Sequence, residues 1–332
     1  MTPRATALVY LPLMLLVALL FVGSLLVGPA GIGIARALEA LWSGGADPIV
    51  LVMQEIRLPR AILAAAIGAV LGLSGAVLQG LLRNPLAEPG VVGVTSAASF
   101  GAVLAIYSGL SASLPFALPL MAMTGAFLAV FLVNALAGRS QDTLTVILAG
   151  VAITTLCGAL TSLALNLSPN PFAAAEIVFW MMGSLADRSM DHVRLALPFI
   201  LVGAGLLLAT GPALDGLSLG EDVARTLGIG LTRTRLLATL GTACGVGAAT
   251  AVAGAIGFVG LVVPHLLRPL VGSLPSRLLP ASALGGAALV LTADIGIRVV
   301  MPERDLKLGV VTALLGVPFF LWLVLRARRE IS

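Results

Sequence analysis

The sequence predicts an all-α membrane protein of about ten transmembrane helices, and three observations carry that expectation. First, 59% of the 332 residues are hydrophobic and the mean hydropathy is +1.11. Second, charged residues make up 10% of the chain, where a soluble domain carries about 25%. A soluble globule built from this composition would lack the polar residues to cover its surface. Third, the apolar residues fall in runs close to the ~20 residues that a helix needs to cross a bilayer core of about 30 Å. The spans must be helical, because a lipid-exposed backbone has to satisfy its own hydrogen bonds.

In chain order the runs place spans at about 7–28, 59–82, 92–107, 114–136, 143–166, 192–210, 234–253, 257–271, 278–298 and 307–326. The first is longer than the core of a secretory signal and reads as a retained span. The third and eighth are short. Several spans are rich in Gly and Ala; Gly68 with Gly72, and Gly241 with Gly245, form G-x-x-x-G pairs that let helices approach closely.

Composition also excludes chemistries. Lys307 is the only lysine and is followed by Leu308, so no G-x-x-x-x-G-K-[ST] phosphate loop exists in this chain. Cys157 and Cys244 sit in apolar runs and read as small buried hydrophobes. His192 and His265 show no metal-ligand spacing, and no metal site is expected. The net charge of +4 has no basic stripe interleaved with aromatics, so nucleic acid is not an expected partner. The charge fits Arg-bearing cytoplasmic ends instead. With both termini inside, the inner segments collect 11 of the 19 basic residues (among them Arg4, Arg83, Arg139, Arg326, Arg328 and Arg329) against six acids, including Asp142 and Glu330.

Four segments exceed membrane filler. In Gln54-Glu55-Ile56-Arg57-Leu58-Pro59-Arg60, Pro59 disfavours helix at Leu58 and predicts a sharp helix start, with Arg57 and Arg60 at the outer membrane surface. There they serve either as interfacial anchors or as a docking site for an acidic partner. Asn84, Pro85, Glu88, Pro89 and Gly90 form a stiff inner turn after Arg83. Asp215 to Arg235 is the longest polar inner loop. Glu221 and Asp222 favour a helix start there and Gly228 a left-handed stop, so a helix of about two turns should lie on the cytoplasmic face, idle or as a lever for a partner. In the run 257–268, Pro264 should kink or end the span near the inner face, with His265 beside it as a structural histidine. On the ninth span, Asp294 and Arg298 are four residues apart and can pair.

Together RLPR (57–60), SGAVLQGLLRNPLAEPGVVGV (74–94), GAIGFVGLVVPHLLR (254–268), LTADIGIR (291–298) and GVVTALLGVPFFLWLV (309–324) resemble the FecCD-type permease subunits of ABC importers for iron–siderophore complexes, haem and vitamin B12. The resemblance covers essentially the whole chain. It implies a single transmembrane permease domain over 1–332 with type II ABC importer architecture, in the plasma membrane, dimerising around a central pathway. A homodimer is expected, with two ATP-binding subunits inside and a substrate-binding protein outside. This chain would bind no cofactor, ATP and Mg belonging to the partner ATPase.

The resemblance also assigns roles. Arg57, Arg60 and Arg298 match the outer arginines that receive acidic residues of the binding protein. Glu221, Asp222, Ala224 and Gly228, in a coupling loop of about 214–235, match the segment that engages the ATPase. Pro264, His265 and Arg268 form an inner-face signature, and 172–184 resembles a short outer re-entrant helix. One departure stands at Asp305-Leu306-Lys307-Leu308-Gly309, where many members carry a proline; Lys307 adds a positive charge near the pathway mouth. The cargo favoured by the breadth of the family is an iron–siderophore complex. A rival from another class, a proton-coupled carrier titrating Asp294 or Glu176, would want its carboxylate near mid-membrane.

Overall fold

The computed structural model describes residues 3–28, 31–45, 47–114, 116–137, 143–168, 170–303 and 306–329. Arg139, Asp142, Asp305 and Glu330 lie outside the described residues, as do the side chains of Arg4, Arg326, Arg328 and Arg329. The described chain is helical throughout. Its helices are α1 (Pro3–Leu26), α2 (Ile34–Ala40), α3 (Pro48–Leu51), α4 (Leu58–Leu81), α5 (Val94–Tyr107), α6 (Leu110–Ser113), α7 (Ala117–Ala137) and α8 (Thr143–Asn166). They continue as α9 (Pro171–Met181), α10 (Met190–Leu208), α11 (Gly211–Leu217), α12 (Glu221–Thr226), α13 (Leu231–Ala253), α14 (Val259–Val271), α15 (Pro275–Val300) and α16 (Leu308–Arg329).

Every one of the ten expected spans coincides with a helix. Seven helices among the described residues are long and apolar enough to cross a membrane. The third and eighth expected spans are the short helices α5 and α14, of 14 and 13 residues. At about 1.5 Å per residue each reaches only some 20 Å, so neither fills a bilayer core alone.

α4 and α13 are the inner helices. Leu63, Ile67 and Leu73 of α4 join Val246 and Val252 of α13, Leu207 of α10 and Leu279 and Leu291 of α15 in one buried cluster. A second cluster gathers Val94, Ala126, Val130 and Ile153 from α5, α7 and α8 against Ala243 and Ala251 on another face of α13. α1, α8 and α16 instead leave many leucines exposed, such as Leu11, Leu148 and Leu314, as a lipid- or partner-facing surface requires.

The G-x-x-x-G pairs behave as expected. A Cβ at Gly68 or Gly72 would strike the backbone of Gly286 or Ser282 on α15, and one at Gly245 or Gly241 would meet Gly203 on α10. Gly75 extends the pattern: its Cβ would strike the backbone of Gly260 at the start of α14. In lipid, where burial of apolar area cannot drive helices together, such close contact supplies the dispersion energy that does.

Two proline expectations are corrected. The chain does not start a helix sharply at Pro59. It is helical from Pro48 onward, with a π-helical stretch Val52–Arg57, and the Leu58 N–H donates to the Met53 carbonyl five residues back. A proline has no N–H for the carbonyl four residues earlier, and the wider π turn absorbs that mismatch without breaking the helix. Pro264 likewise does not end α14, which runs through Pro264 and Pro269 to Val271. The carbonyl of Gly260, left without a partner by Pro264, accepts from the Gln79 side-chain amide of α4 at 3.2 Å, the kind of replacement a neighbouring helix provides within a membrane.

Candidate functional site

Two of the expected groups of site residues gather at the two ends of α15, and a third lies between the turn 84–90 and α14. A helix of 26 residues spans about 39 Å, and its first turn and last turn each hold one constellation.

At the C-terminal end of α15 stand Arg57, Arg60, Asp294 and Arg298. Asp294 is fully buried. Its Oδ1 accepts from Nε of Arg60 and forms an ion pair with Nη2, both at 2.8 Å, and its Oδ2 pairs with Nη2 of Arg298 at 2.8 Å. The i,i+4 pairing read from the sequence is therefore present, and Arg60 joins it from α4. Arg57 does not sit at a surface: only 4% of it is exposed. Its Nη1 donates to the carbonyls of Leu25 and Leu26, both at 2.9 Å. Arg298 Nη1 donates to the carbonyls of Ser24 and Val27, both at 2.8 Å, and Nη2 to the Ser24 hydroxyl at 2.7 Å. A helix ends in four carbonyls without intrahelical donors and a partial negative charge. Here two arginines from other helices cap all four carbonyls from Ser24 to Val27 at the end of α1. Three guanidinium groups against one carboxylate leave the cluster at +2.

At the N-terminal end of α15 stands the coupling segment. Asp215, on α11, accepts the Ser276 N–H at 2.8 Å and so caps the first turn of α15. α12 is the expected short helix, entered at Gly220 (φ 114°) and stopped at Gly228 (φ 77°), where the Gly228 N–H donates to the Arg225 carbonyl. Both angles are left-handed, which glycine alone adopts at no steric cost. Glu221 is paired with Arg235 at 2.8 Å and with Arg225 at 3.6 Å, and Ala224 is buried against the bundle. Asp222 opens α12 beside Glu221. Leu219 and Leu227 are 64% and 62% exposed, and Val223 between them is also exposed.

The inner turn and the 257–268 segment meet each other. The Asn84 side chain accepts the Leu86 N–H at 2.9 Å, after Pro85 and with Arg83 left-handed (φ 49°). Pro89 packs where a Cβ on Gly260 would sit, and Thr154 of α8 donates to the Gly90 carbonyl at 3.2 Å. Burial pushes the Glu88 carboxyl above its usual range, partly offset by a hydrogen bond from the Phe258 backbone. Phe258 is itself left-handed (φ 66°) and its ring fills the space beside Gly316 of α16. His265 packs edge-on against Phe319 with ring centroids 5.6 Å apart. Arg268 donates to the Gln79 Oε1 at 3.0 Å. Gln79, buried and bonded to both Gly260 and Arg268, is the residue the sequence reading did not single out. An amide inside an apolar span, within reach of a proline-containing partner helix, was the signal available.

The segment expected as a short outer re-entrant helix forms the helix α9, capped by the Asn170 side chain on the Ala173 N–H. It ends against the bundle. The Ser184 N–H donates to the Ala253 carbonyl at 2.7 Å, and the Gly309 N–H to the Gly183 carbonyl at 3.2 Å.

Comparison with known proteins accounts for this arrangement. The FecCD transport family model matches residues 15–326. The hemin transport system permease protein HmuU of Yersinia pestis is 38% identical, covering 96% of this chain and 97% of its own. The vitamin B12 import system permease protein BtuC of Klebsiella pneumoniae is 41% identical over 84% and 83%, and the Fe(3+) dicitrate permease protein FecD of Escherichia coli 38% over 88% and 91%. A metal-chelate type ABC transporter solved in an inward-facing conformation superposes with a TM-score of 0.86 at 33% identity, over 98% of this chain and all of its own. With such agreement along nearly its full length, the chain belongs to the FecCD transport family.

Proposed function

We propose that the chain is the membrane-spanning permease of an ABC importer for a metal chelate, working as a homodimer in the plasma membrane with both termini cytoplasmic. The match of the family model across 15–326 carries this reading. Two ATP-binding subunits engage α12, whose exposed Leu219, Val223 and Leu227 offer an apolar ridge to a partner groove. Glu221, Asp222, Ala224 and Gly228 fix the shape of that ridge. Asp215 ties the same segment to α15, so a displacement of α12 by the ATPase has a rigid helix to act on. The chain needs no catalytic residue: the cycle is a population shift between outward- and inward-open conformers, driven by differential binding at both ends.

Arg60, with Arg298 beside it, faces the binding protein and attracts its acidic residues, while the buried Arg57 and Asp294 contribute to the cluster's +2 charge from behind. Of the two arginines that pair with Asp294, Arg60 keeps the more exposed side chain. The named relatives carry haem, vitamin B12 and ferric dicitrate; an iron–siderophore complex is the cargo we favour. A proton-coupled carrier built on Asp294 gains no support, since that carboxylate sits near one end of α15, tied to Arg60 and Arg298, and not near mid-helix.

The test is reconstitution in proteoliposomes with the ATPase and binding protein, measuring which iron–siderophore, haem or cobalamin preparation stimulates ATP hydrolysis and accumulates inside. Stimulation by an iron–siderophore supports the full reading. Uphill uptake by the purified chain without an ATPase would overturn it.

A further inference from the structure

Apart from both ends of α15, a cavity of about 600 Å³ opens between α9, the segment 183–189 and the residues leading into α16. The rings of Phe179 and Trp180 line it together with Glu176, Asp187, Arg188 and Lys307. Its walls are clipped in place by the backbone bonds from Ser184 to Ala253 and from Gly309 to Gly183, and by the Ala186 N–H on the Ser184 hydroxyl at 3.1 Å. Asp187 takes a left-handed conformation (φ 57°), unusual for a residue other than glycine, and turns the chain into Arg188.

The four charged groups are not equivalent. Glu176 and Asp187 are exposed, where water screens them. Arg188 is half-buried, and its buried Nε has no hydrogen-bond partner among the described residues. Burial lowers the basicity of the guanidinium, with Asp187 opposing that shift. Lys307 holds its ammonium 5.7 Å above the Phe179 ring, within cation–π reach of that aromatic wall. A buried guanidinium edge without an acceptor, a second cation and two flat aromatic walls together fit a planar group that brings two anionic oxygens.

We propose that this cavity binds an ionised carboxylate of the cargo chelate, with Arg188 as the principal donor and Lys307 as the second cation. The proposal rests on the importer reading and narrows it, from metal chelates in general to those that expose carboxylates. A chelate rimmed by neutral amides would offer Arg188 and Lys307 only single, uncharged carbonyl acceptors, which make weaker bonds than a carboxylate does. Arginine suits the task better than lysine because its planar fork matches both carboxylate oxygens at once.

The chain has three tryptophans, and Trp180 lies on the cavity wall, so the site carries its own reporter. The experiment uses the full chain in lipid nanodiscs with Trp42→Phe and Trp322→Phe, titrated with citrate and, in parallel, with its neutral triethyl ester. We expect a saturable fluorescence change with citrate and none with the ester. Arg188→Gln should weaken citrate binding about tenfold or more, the loss of one charge-assisted hydrogen bond. Arg188→Lys should fall between, and serves in place of the glutamine variant if that one fails to fold. Identical citrate titrations with and without Arg188, or an equal response to the ester, would overturn the proposal. The importer reading is tested separately in the Trp42→Phe, Trp322→Phe background: ATP-driven uptake that survives Arg188→Gln for a carboxylate chelate sinks this inference alone, whereas absence of ATP-driven uptake in the background sinks the reading beneath it.

Discussion

At the C-terminal end of α15, charge is drawn inward: Asp294 is buried, Arg57 is 4% exposed, and two arginines close the end of α1. At the N-terminal end, Glu221 stays partly exposed beside Arg225 and Arg235, and the apolar Leu219, Val223 and Leu227 face outward. One end has spent its charged groups on holding three helices together. The other spends only Asp215 and Glu221 on cohesion and leaves its ridge uncommitted. Function and stability should therefore be inseparable at the first end and separable at the second.

The sharpest way to break that contrast is Asp294→Ala. It leaves Arg60 and Arg298 buried without their carboxylate, and breaking a buried pair in this way costs about 3–5 kcal/mol. We expect a large fall in thermal unfolding temperature in detergent, together with loss of the cap on α1. An unchanged unfolding temperature would show that the cluster is not structural. For the same reason Arg57→Glu with Arg60→Glu is a poor test of docking, because both residues hold the fold; Arg60→Lys keeps the charge and separates the two effects better.

Between the ends, Gln79→Leu should cost about 1–3 kcal/mol, since the Gly260 carbonyl and the Arg268 guanidinium both lose a buried partner. Its measure is again thermal unfolding, and a neutral result would mean that water or lipid replaces the amide. At the second end, Gly228→Pro cannot keep φ at 77°. Open space around Gly228 does not relieve that strain, and the Gly228 N–H bond to the Arg225 carbonyl is lost; we expect a loss of about 1–3 kcal/mol confined to the turn, together with loss of cargo-stimulated hydrolysis in the reconstituted complex. Normal stimulation would remove α12 from the coupling path. The smallest effect is expected at Glu88. A carboxyl whose folded pKa is raised contributes stability that is present below its ordinary value of 4.5 and lost as pH rises through the folded value. Unfolding temperature should thus decline with rising pH above about 4.5 in the native chain and stay flatter in Glu88→Gln. Parallel profiles would show that the group does not titrate with folding.

Much of the bundle was legible in advance. Apolar runs placed a helix at each of the ten expected spans, seven of them long enough to cross a membrane; the G-x-x-x-G spacing of Gly68 and Gly72 anticipated the contact with α15, and Gly228 is the expected left-handed stop. What the structure corrected were Pro59 as a helix start, Pro264 as a helix end and Arg57 as a surface residue. Pro59 was judged by its local preference, whereas a π turn upstream of it keeps the helix whole. Pro264 was judged without Gln79, and Arg57 without the end of α1.

By itself the sequence determined where helices form, which of them can touch backbone to backbone, and which glycines turn the chain, because those depend on hydropathy and φ preferences within a few neighbouring residues. Only the tertiary structure decided what each buried polar group bonds to. Arg298 and Ser24 are 274 positions apart, and Gln79 and Arg268 are 189. In a low-dielectric interior an unpaired polar group is costly, and at that separation only the folded chain determines which partner it finds.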